Sequence, residues 1–428
     1  MTGIPNFSKL NGHAVPGASL AGKRIAIFTG AYNHIADGSS LTLNRLVAHL
    51  EHLQAHVQIF APTIDNPPIN HVGTLVPVPS FPFPGRPDYP VSRGLPRSIY
   101  RQVAAFNPMM IHIASPDLLG RRGVRLGRQW GIPVVASCHT HFTSYLKYYN
   151  LSFAEGFVWW YLRWFYGHCR HIYVPSEAMA SVLRSHGITE GLRLWQRGVD
   201  TSLFHPGRRS QAWRGSQGIG EQEVVIAFVG RLVWEKGLAV FAEVLEVLRA
   251  RGIPHRSLIV GEGPIEATLR KRLPETTFTG YLRGEALARA YASSDVFLFP
   301  SETETFGNVT LEAMASGLPT VCADALGSRS LVVPDQTGYL AVPGVVTSFA
   351  ECVERLVLDA GLRRRMGGEA LRRAQGYNWD AVLDRIAGYY QDILCPEPVV
   401  NGRYQGNGRA SSDPGSSEPT RLIETPCS

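Results

Sequence analysis

Several common signatures are missing from this 428-residue chain, and each absence narrows what it does. Its six cysteines, at 138, 169, 322, 352, 395 and 427, form no C-x-x-C pair and keep no regular spacing, so free thiols in a reducing cytoplasm are expected. No apolar run is long enough to span a bilayer. The most hydrophobic candidate, residues 151–166, carries Glu155 and Arg163 and falls short of the ~18 apolar residues a span needs. Met1 to Leu20 lacks a continuous apolar core after a basic start, which predicts no signal peptide. No helix-turn-helix, RRM or zinc-finger pattern is present, so nucleic acid is not the expected partner.

What is present is length, apolar content and an uneven charge. The length exceeds one ordinary core, and 44% apolar residues suffice for globular packing, so two domains are expected. Residues 1–205 hold 18 Lys+Arg against 9 Asp+Glu, a balance of +9; the remainder holds 24 against 26, a balance of −2. A basic first half suits anionic partners such as phosphates, lipid headgroups or acidic glycans.

Along that first half, strand Arg24–Phe28 runs into a small-residue loop, residues 29–40, and then a helical pattern through Leu43, Leu46, Val47, Leu50 and Leu53. Strand, loop and helix make either a phosphate cradle or a plain tight turn, since the full G-x-G-x-x-G is absent. From Pro62 to Pro96 ten prolines predict an extended excursion and no helix. Arg121, Arg122, Arg125 and Arg128 fall on one helical face, either solvated or turned to an anionic membrane or acceptor. Strand 133–137 ends in CHTHF; a His at a parallel strand's C-terminal end lies where such sheets place ligands, and no third ligand completes a metal set. The aromatic run from Phe153 to Tyr166 suits core packing, an acceptor groove or an interfacial contact.

The second half alternates strands and helices, the pattern of a doubly wound parallel sheet. Strand 224–229 leads into GRLVWEKG, whose Arg231 and Lys236 flank a turn and could reach one anionic group. Strand 296–300 leads into SETETFGNVTLEAMASGLP, with Glu304 in the loop and Glu312 in the helix. Seven intervening residues, mostly helical, would separate the two carboxylates by roughly 12 Å at ~1.5 Å per residue. That exceeds the ~5–9.5 Å of a glycosidase pair and suits two ends of one elongated ligand. The helix N-terminus between them offers free N–H groups to a diphosphate.

GRLVWEKG and ETETFGNVTLEAMASGLP, with the Glu-x7-Glu signature, resemble the retaining glycosyltransferases of family 4 over about residues 23–394. CHTHF resembles a segment of their mannosyl and lipid-directed members, and RGVDTSLFHP resembles their interdomain crossing. The resemblance implies the GT-B fold, two Rossmann-like α/β domains facing a cleft. The domains would be residues 23–198 and 199–378, with a leader at 1–22, a last helix at 379–395 crossing back to the first domain, and a disordered tail at 396–428. It further implies that Arg231 and Lys236 hold the donor pyrophosphate and that Glu304 faces the transferred sugar. The backbone amides of Thr305, Phe306, Gly307 and Asn308 would lie beside sugar and phosphates. Glu312 would accept the ribose hydroxyls, Leu282 would meet the base, His139 would lie against the donor sugar, and Gly38 would let the first loop approach the diphosphate.

No resident cofactor or metal is implied, only a nucleotide-sugar co-substrate, GDP-mannose or a UDP-hexose. The acceptor would be lipid-linked or a glycan, met on the cytoplasmic membrane face by the basic first domain. Rival readings are a nucleotide-sugar epimerase or phosphorylase on the same fold, or a binding protein without catalysis.

Overall fold

A computed structural model describes residues 19–35, 38–83, 86–138, 153 and 155–395. The expected leader up to residue 18, the tail from 396 and His139 lie outside the described residues. The strands are β1 (Arg24–Phe28), β2 (His56–Ala61), β3 (Thr74–Pro77), β4 (Ser80–Phe83), β5 (Arg86–Ser92), β6 (Met110–Ile113), β7 (Val134–Ser137), β8 (His171–Val174) and β9 (Leu192–Leu194). The helices among them are α1 (Gly38–His52), α2 (Arg97–Phe106), α3 (Leu118–Trp130), α4 (Glu155–Tyr166) and α5 (Glu177–Ser185). Seven of these strands form one parallel sheet in the order β3-β2-β1-β6-β7-β8-β9.

The central strands of this sheet are apolar throughout because both faces are covered. Period-2 alternation then sorts each strand's side chains between two cores. Ile25, Ile27, Met110, Val135 and Tyr173 enter one core, with α1. Their neighbours Ala26, Phe28, Ile111, Ala136 and Ile172 enter the other, with α2, α3, α4 and α5. Among its described residues the proline-rich stretch contains no helix, but it is not irregular. It supplies β3 to the sheet edge and the antiparallel pair β4–β5. Helices α2 and α5 carry their apolar faces in short amphipathic segments that sequence periodicity did not single out.

The second sheet has the order β12-β11-β10-β13-β14-β15, all parallel. Its strands are β10 (Val225–Val229), β11 (Arg256–Val260), β12 (Thr277–Phe278), β13 (Val296–Phe299), β14 (Thr320–Ala323) and β15 (Gly338–Ala341). Its helices are α6 (Gln211–Ser216), α7 (Leu238–Ala250), α8 (Glu266–Arg272), α9 (Gly284–Ala292), α10 (Asn308–Ala315), α11 (Leu326–Leu331), α12 (Val346–Leu358) and α13 (Ala360–Gln375). In each sheet the first strand is flanked by the second and by a later strand across a topological switch: β1 beside β6, β10 beside β13. Loops leaving the C-terminal ends of such a strand pair diverge and open a crevice.

The chain crosses between the two sheets twice, side by side. Val199 pairs with Asn378 and donates its N–H to the Tyr377 carbonyl at 2.8 Å. At Gly198 an added Cβ would lie 2.6 Å from the Trp379 indole, so only glycine permits this approach. The last helix, α14 (Trp379–Leu394), then packs Val382, Leu383, Ile386 and Tyr390 into the core shared by α1 and the first sheet.

Its deepest anchor is polar. Tyr390 Oη lies 2.6 Å from His112 Nδ1, and the other ring nitrogen bonds Ser137 Oγ. Burial drives the His112 pKa down to about 3. A neutral imidazole has one donor and one acceptor, which satisfies both neighbours. Replacing Tyr390 with Phe keeps the packing but strands a buried nitrogen, so Tyr390→Phe should cost about 1–3 kcal/mol of stability. Urea unfolding of the two proteins at neutral pH measures this, with an unchanged midpoint counting against the anchor.

Candidate functional site

Both switch points place the residues singled out from sequence. The loop after β10 carries Arg231 and Lys236, and the loop after β13 carries Glu304. Glycines let these loops touch through their backbones. Gly237 has φ +76°, and an added Cβ would sit 2.3 Å from the Pro300 carbonyl oxygen at the end of β13. At Gly261 the same addition would come within 1.9 Å of the Gly230 carbonyl oxygen, and at Gly263 within 2.2 Å of that of Leu232. The turn holding Arg231 is thus clamped to the turn after β11, reinforced by Leu232 N–H to the Glu262 carbonyl at 2.9 Å.

The clamp sets the charged groups. Lys236 Nζ donates to Glu304 Oε1, with side chains 27% and 20% exposed, so both remain partly open to solvent. Arg231, at the start of the same loop, is exposed. Behind Glu304 the chain is pressed on α11: a Cβ at Gly327 would lie 2.8 Å from the Glu304 carbonyl oxygen. Neither Gly237's contact nor Gly327's was legible in sequence, although Gly237 belongs to the GRLVWEKG frame.

The segment 305–308 divides its work. Phe306 is buried, its ring 5.9 Å from that of Tyr377 at the interdomain crossing, so its side chain is structural. Gly307 takes φ +100° and starts α10 at Asn308. The Thr305 carbonyl accepts from Ser176 Oγ at 3.4 Å. Ser176 also caps α5, accepting Met179 N–H at 3.2 Å, so one first-domain hydroxyl ties the second domain's loop to its own helix. Sequence reasoning missed Ser176.

The first domain arrives opposite Asn308. α1 begins at Gly38 itself, where the sequence pattern had started only at Leu43, and a Cβ there would lie 3.0 Å from Asn308 Nδ2. The starts of α1 and α10, each a positive dipole end, therefore approach each other across the cleft. At the first-sheet switch point, Gly30 N–H donates to Ser115 Oγ at 3.0 Å, and that hydroxyl donates to Asp117 Oδ2 at 2.8 Å.

Glu312 lies one helical stretch further along α10 and is half-buried. Tyr291 of α9 donates to its Oε2 at 3.0 Å, a partner that no sequence motif announced. Leu282 packs against the second core, beside an exposed Tyr281 ring whose face lies 4.6 Å from the Arg283 guanidinium. Among the described residues, Lys236 and Glu304 are in contact, Gly38 and Asn308 approach each other, and Glu312 follows Asn308 along α10.

Burial raises the Glu312 pKa from 4.5 to about 7, against the lowering pull of the Tyr291 hydrogen bond. Folding then favours the protonated acid. That stabilisation is complete below about 4.5 and is lost as pH rises through about 7. Stability should accordingly fall across this window in the wild type and fall less in Glu312→Gln, the gap being up to roughly 3 kcal/mol. Denaturant titrations at several pH values test it; parallel profiles for the two proteins would refute the raised value.

Known proteins agree with this architecture. Residues 209–373 match the model of glycosyl transferases group 1, and residues 36–203 match that of Glycosyltransferase Family 4. The chain is 35% identical over 377 residues to a GDP-mannose-dependent alpha-mannosyltransferase of Mycolicibacterium smegmatis, covering 87% of this chain and 98% of the relative. It is 36% identical over 315 residues to the sulfoquinovosyl transferase SQD2 of Arabidopsis thaliana, covering 72% of this chain and 61% of that one. Among solved structures, sucrose-phosphate synthase from Thermosynechococcus elongatus superposes with a TM-score of 0.72 at 22% identity, covering 87% of this chain and 99% of that one. Paired sheets, matching switch points and relatives along nearly the whole length lead to one conclusion: the chain belongs to glycosyltransferase family 4 and is a glycosyltransferase of the GT-B fold.

Proposed function

We propose that this glycosyltransferase moves a mannosyl group from GDP-mannose to a hydroxyl of a lipid-linked or glycan acceptor, with retention of the α-configuration. Relatives at 31–35% identity bear the name GDP-mannose-dependent alpha-mannosyltransferase, which supports the donor. The observation that carries the reading is the meeting of the α1 and α10 N-termini, with Lys236 bonded to Glu304 of the loop that enters α10. Two helix starts and an ammonium converging on one crevice suit a diphosphate.

In this reading the diphosphate lies between the Gly38 and Asn308 starts, held by Arg231 and Lys236. Glu304 faces the hydroxyls of the sugar, and the 305–308 backbone runs beside it. Glu312 accepts from the ribose hydroxyls, and Tyr281 next to Leu282 offers a ring face for the base to stack on. His139 keeps the role against the donor sugar that the family resemblance gives it.

The bond from the anomeric carbon to the phosphate oxygen breaks, and its electron pair leaves with the nucleotide. The acceptor oxygen bonds the same face of that carbon, and its proton passes to the departing phosphate oxygen. No protein nucleophile is needed. Arg231 and Lys236 stabilise the charge that grows on the leaving group, where preorganised cations act most strongly. The chain would work without a bound metal, on the cytoplasmic side of the membrane where its lipid-linked acceptor is presented.

A melting-temperature panel of GDP, UDP and ADP with their hexose conjugates tests the donor, since a ligand bound to the native state raises its melting point. GDP and GDP-mannose should give the largest shifts. A larger UDP shift would replace the donor, and no shift with any nucleotide would overturn the reading. Lys236→Ala should keep its melting point yet lose at least about a hundred-fold in transfer, the scale of removing one preorganised charge donor. Near-wild-type turnover in that variant would remove Lys236 from the diphosphate.

A further inference from the structure

The helix that carries Glu312 aims it at the cleft. Glu312 stands four residues after Asn308, so the two share one face of α10. Helical side chains lean toward the helix N-terminus, and α10 starts beyond the C-terminal end of β13, where the crevice opens. The Glu312 carboxyl group therefore leans toward the cleft end of its helix.

One of its two oxygens is already held. Tyr291 Oη, on α9, donates to Glu312 Oε2 at 3.0 Å and lies 3.2 Å from the Val309 carbonyl oxygen of the same helix. The ring that carries this hydroxyl is fixed. It is fully buried, with the rings of Phe204 and Phe297 at 5.8 Å and 5.9 Å. Burial, and then the Glu312 charge, keep the phenol protonated far above neutral pH, so it is a permanent donor. Among the described residues no donor reaches the other oxygen, Oε1, and Glu312 is in part exposed.

Two opposing influences act on this carboxyl group. Burial favours the neutral acid, and the Tyr291 hydrogen bond favours the anion. Charged side chains on the surrounding elements are engaged elsewhere. On α13, Arg363 donates to the Leu356 and Val357 carbonyls, Arg373 donates to that of Leu331, and Arg372 pairs with Glu369. Arg329 of α11 pairs with Asp324, Glu285 of α9 with Arg208, and Glu304 before α10 with Lys236. Arg289 of α9 and Arg364 and Arg365 of α13 are exposed. A neutral carboxyl group keeps a proton on one oxygen, whereas a carboxylate accepts on both, and charge-assisted bonds are roughly twice as strong. A pair of vicinal hydroxyls is bound best by the charged form.

We propose that Tyr291 is a positioning residue of the nucleotide site: its hydroxyl fixes one oxygen of Glu312 and maintains the carboxylate as a charged acceptor for the ribose diol. Fully buried, Tyr291 acts through Glu312 and not by touching the nucleotide. Ribose recognition then strengthens as pH rises through about 7, where Glu312 ionises, and the Tyr291 bond sets where that rise occurs. The inference rests on the reading that Glu312 accepts from the ribose; it is independent of the base that the donor carries.

The test is the ratio of the affinities for GDP and 2′,3′-dideoxy-GDP, measured by isothermal titration across a pH series, with the uridine pair in parallel. Both members of a pair carry the same diphosphate, so its own titration cancels from the ratio. In the wild type the ratio should rise as pH passes through about 7. Tyr291→Phe keeps the ring packing and should move that rise up by about one pH unit, which makes the ratio about five-fold lower at neutral pH and closes the gap at higher pH. Glu312→Gln should give a low ratio independent of pH, and adding Tyr291→Phe to it should change the ratio no further. Thermal melting at each pH shows that the variants are folded in the titration. An equal loss for GDP and its dideoxy analogue in Tyr291→Phe would make the tyrosine only structural and overturns the proposal. So does an unmoved pH profile in that variant, which leaves the Glu312 role standing. A wild-type ratio near one at every pH removes Glu312 from the ribose, and the role of Tyr291 falls with it.

Discussion

The site depends on a backbone contact that only glycine allows. Gly237 lies against the end of β13 so closely that any side chain would collide with the Pro300 carbonyl. That contact seats the loop after β10 on the loop after β13 and brings Lys236 within hydrogen-bonding reach of Glu304. Gly261, Gly263 and Gly327 repeat the device on the neighbouring turns, against Gly230, Leu232 and Glu304. Backbone packed on backbone is stiff, so the two charges are held in position, the preorganisation on which the proposed transfer would draw.

A second constraint joins the halves. The paired crossings at Val199 and Asn378 and the return of α14 to the first sheet tie the domains together outside the cleft. Tyr390 bonds a buried, neutral His112 in the middle of that sheet. α1 links the two ends of the arrangement. Its first residue, Gly38, faces Asn308 across the cleft, while His49 near its other end lies 3.1 Å from Asp384 of α14. Burial holds the His49 pKa down, against the upward pull of Asp384. Phe306 adds a further link, packing the donor-side loop on Tyr377 at the crossing. A movement of the domains would therefore be felt at the cleft through α1 and through the 305–308 segment.

Most strands were legible because parallel strands covered on both faces are written as continuous apolar runs, as in Arg24–Phe28, Met110–Ile113 and Val296–Phe299. Helices α2 and α5 were harder. Each buries only two or three side chains, so its periodicity is weak within a short window. The α1 start was placed late for a related reason: Gly38, Ser39 and Ser40 read as loop residues, yet they form the first turn of the helix. Glu304, Arg231 and Lys236 could be singled out because charged residues in loops after apolar strands stand apart from their surroundings, and Glu312, in α10, because of its spacing from Glu304. Tyr291 and Ser176 could not, since a tyrosine or serine in a helical region carries no mark of the carboxylate or carbonyl it will meet.

By itself the sequence determined the two parallel-sheet domains, the charged loops and the family. Each is encoded within a few residues, as an apolar run, a turn glycine or a motif of fixed spacing. Tertiary structure alone decided that Gly38 meets Asn308, that Lys236 meets Glu304 and that Tyr390 reaches His112. These pairs are separated by many tens of residues, and their distances follow from close packing of whole layers, which no local pattern specifies.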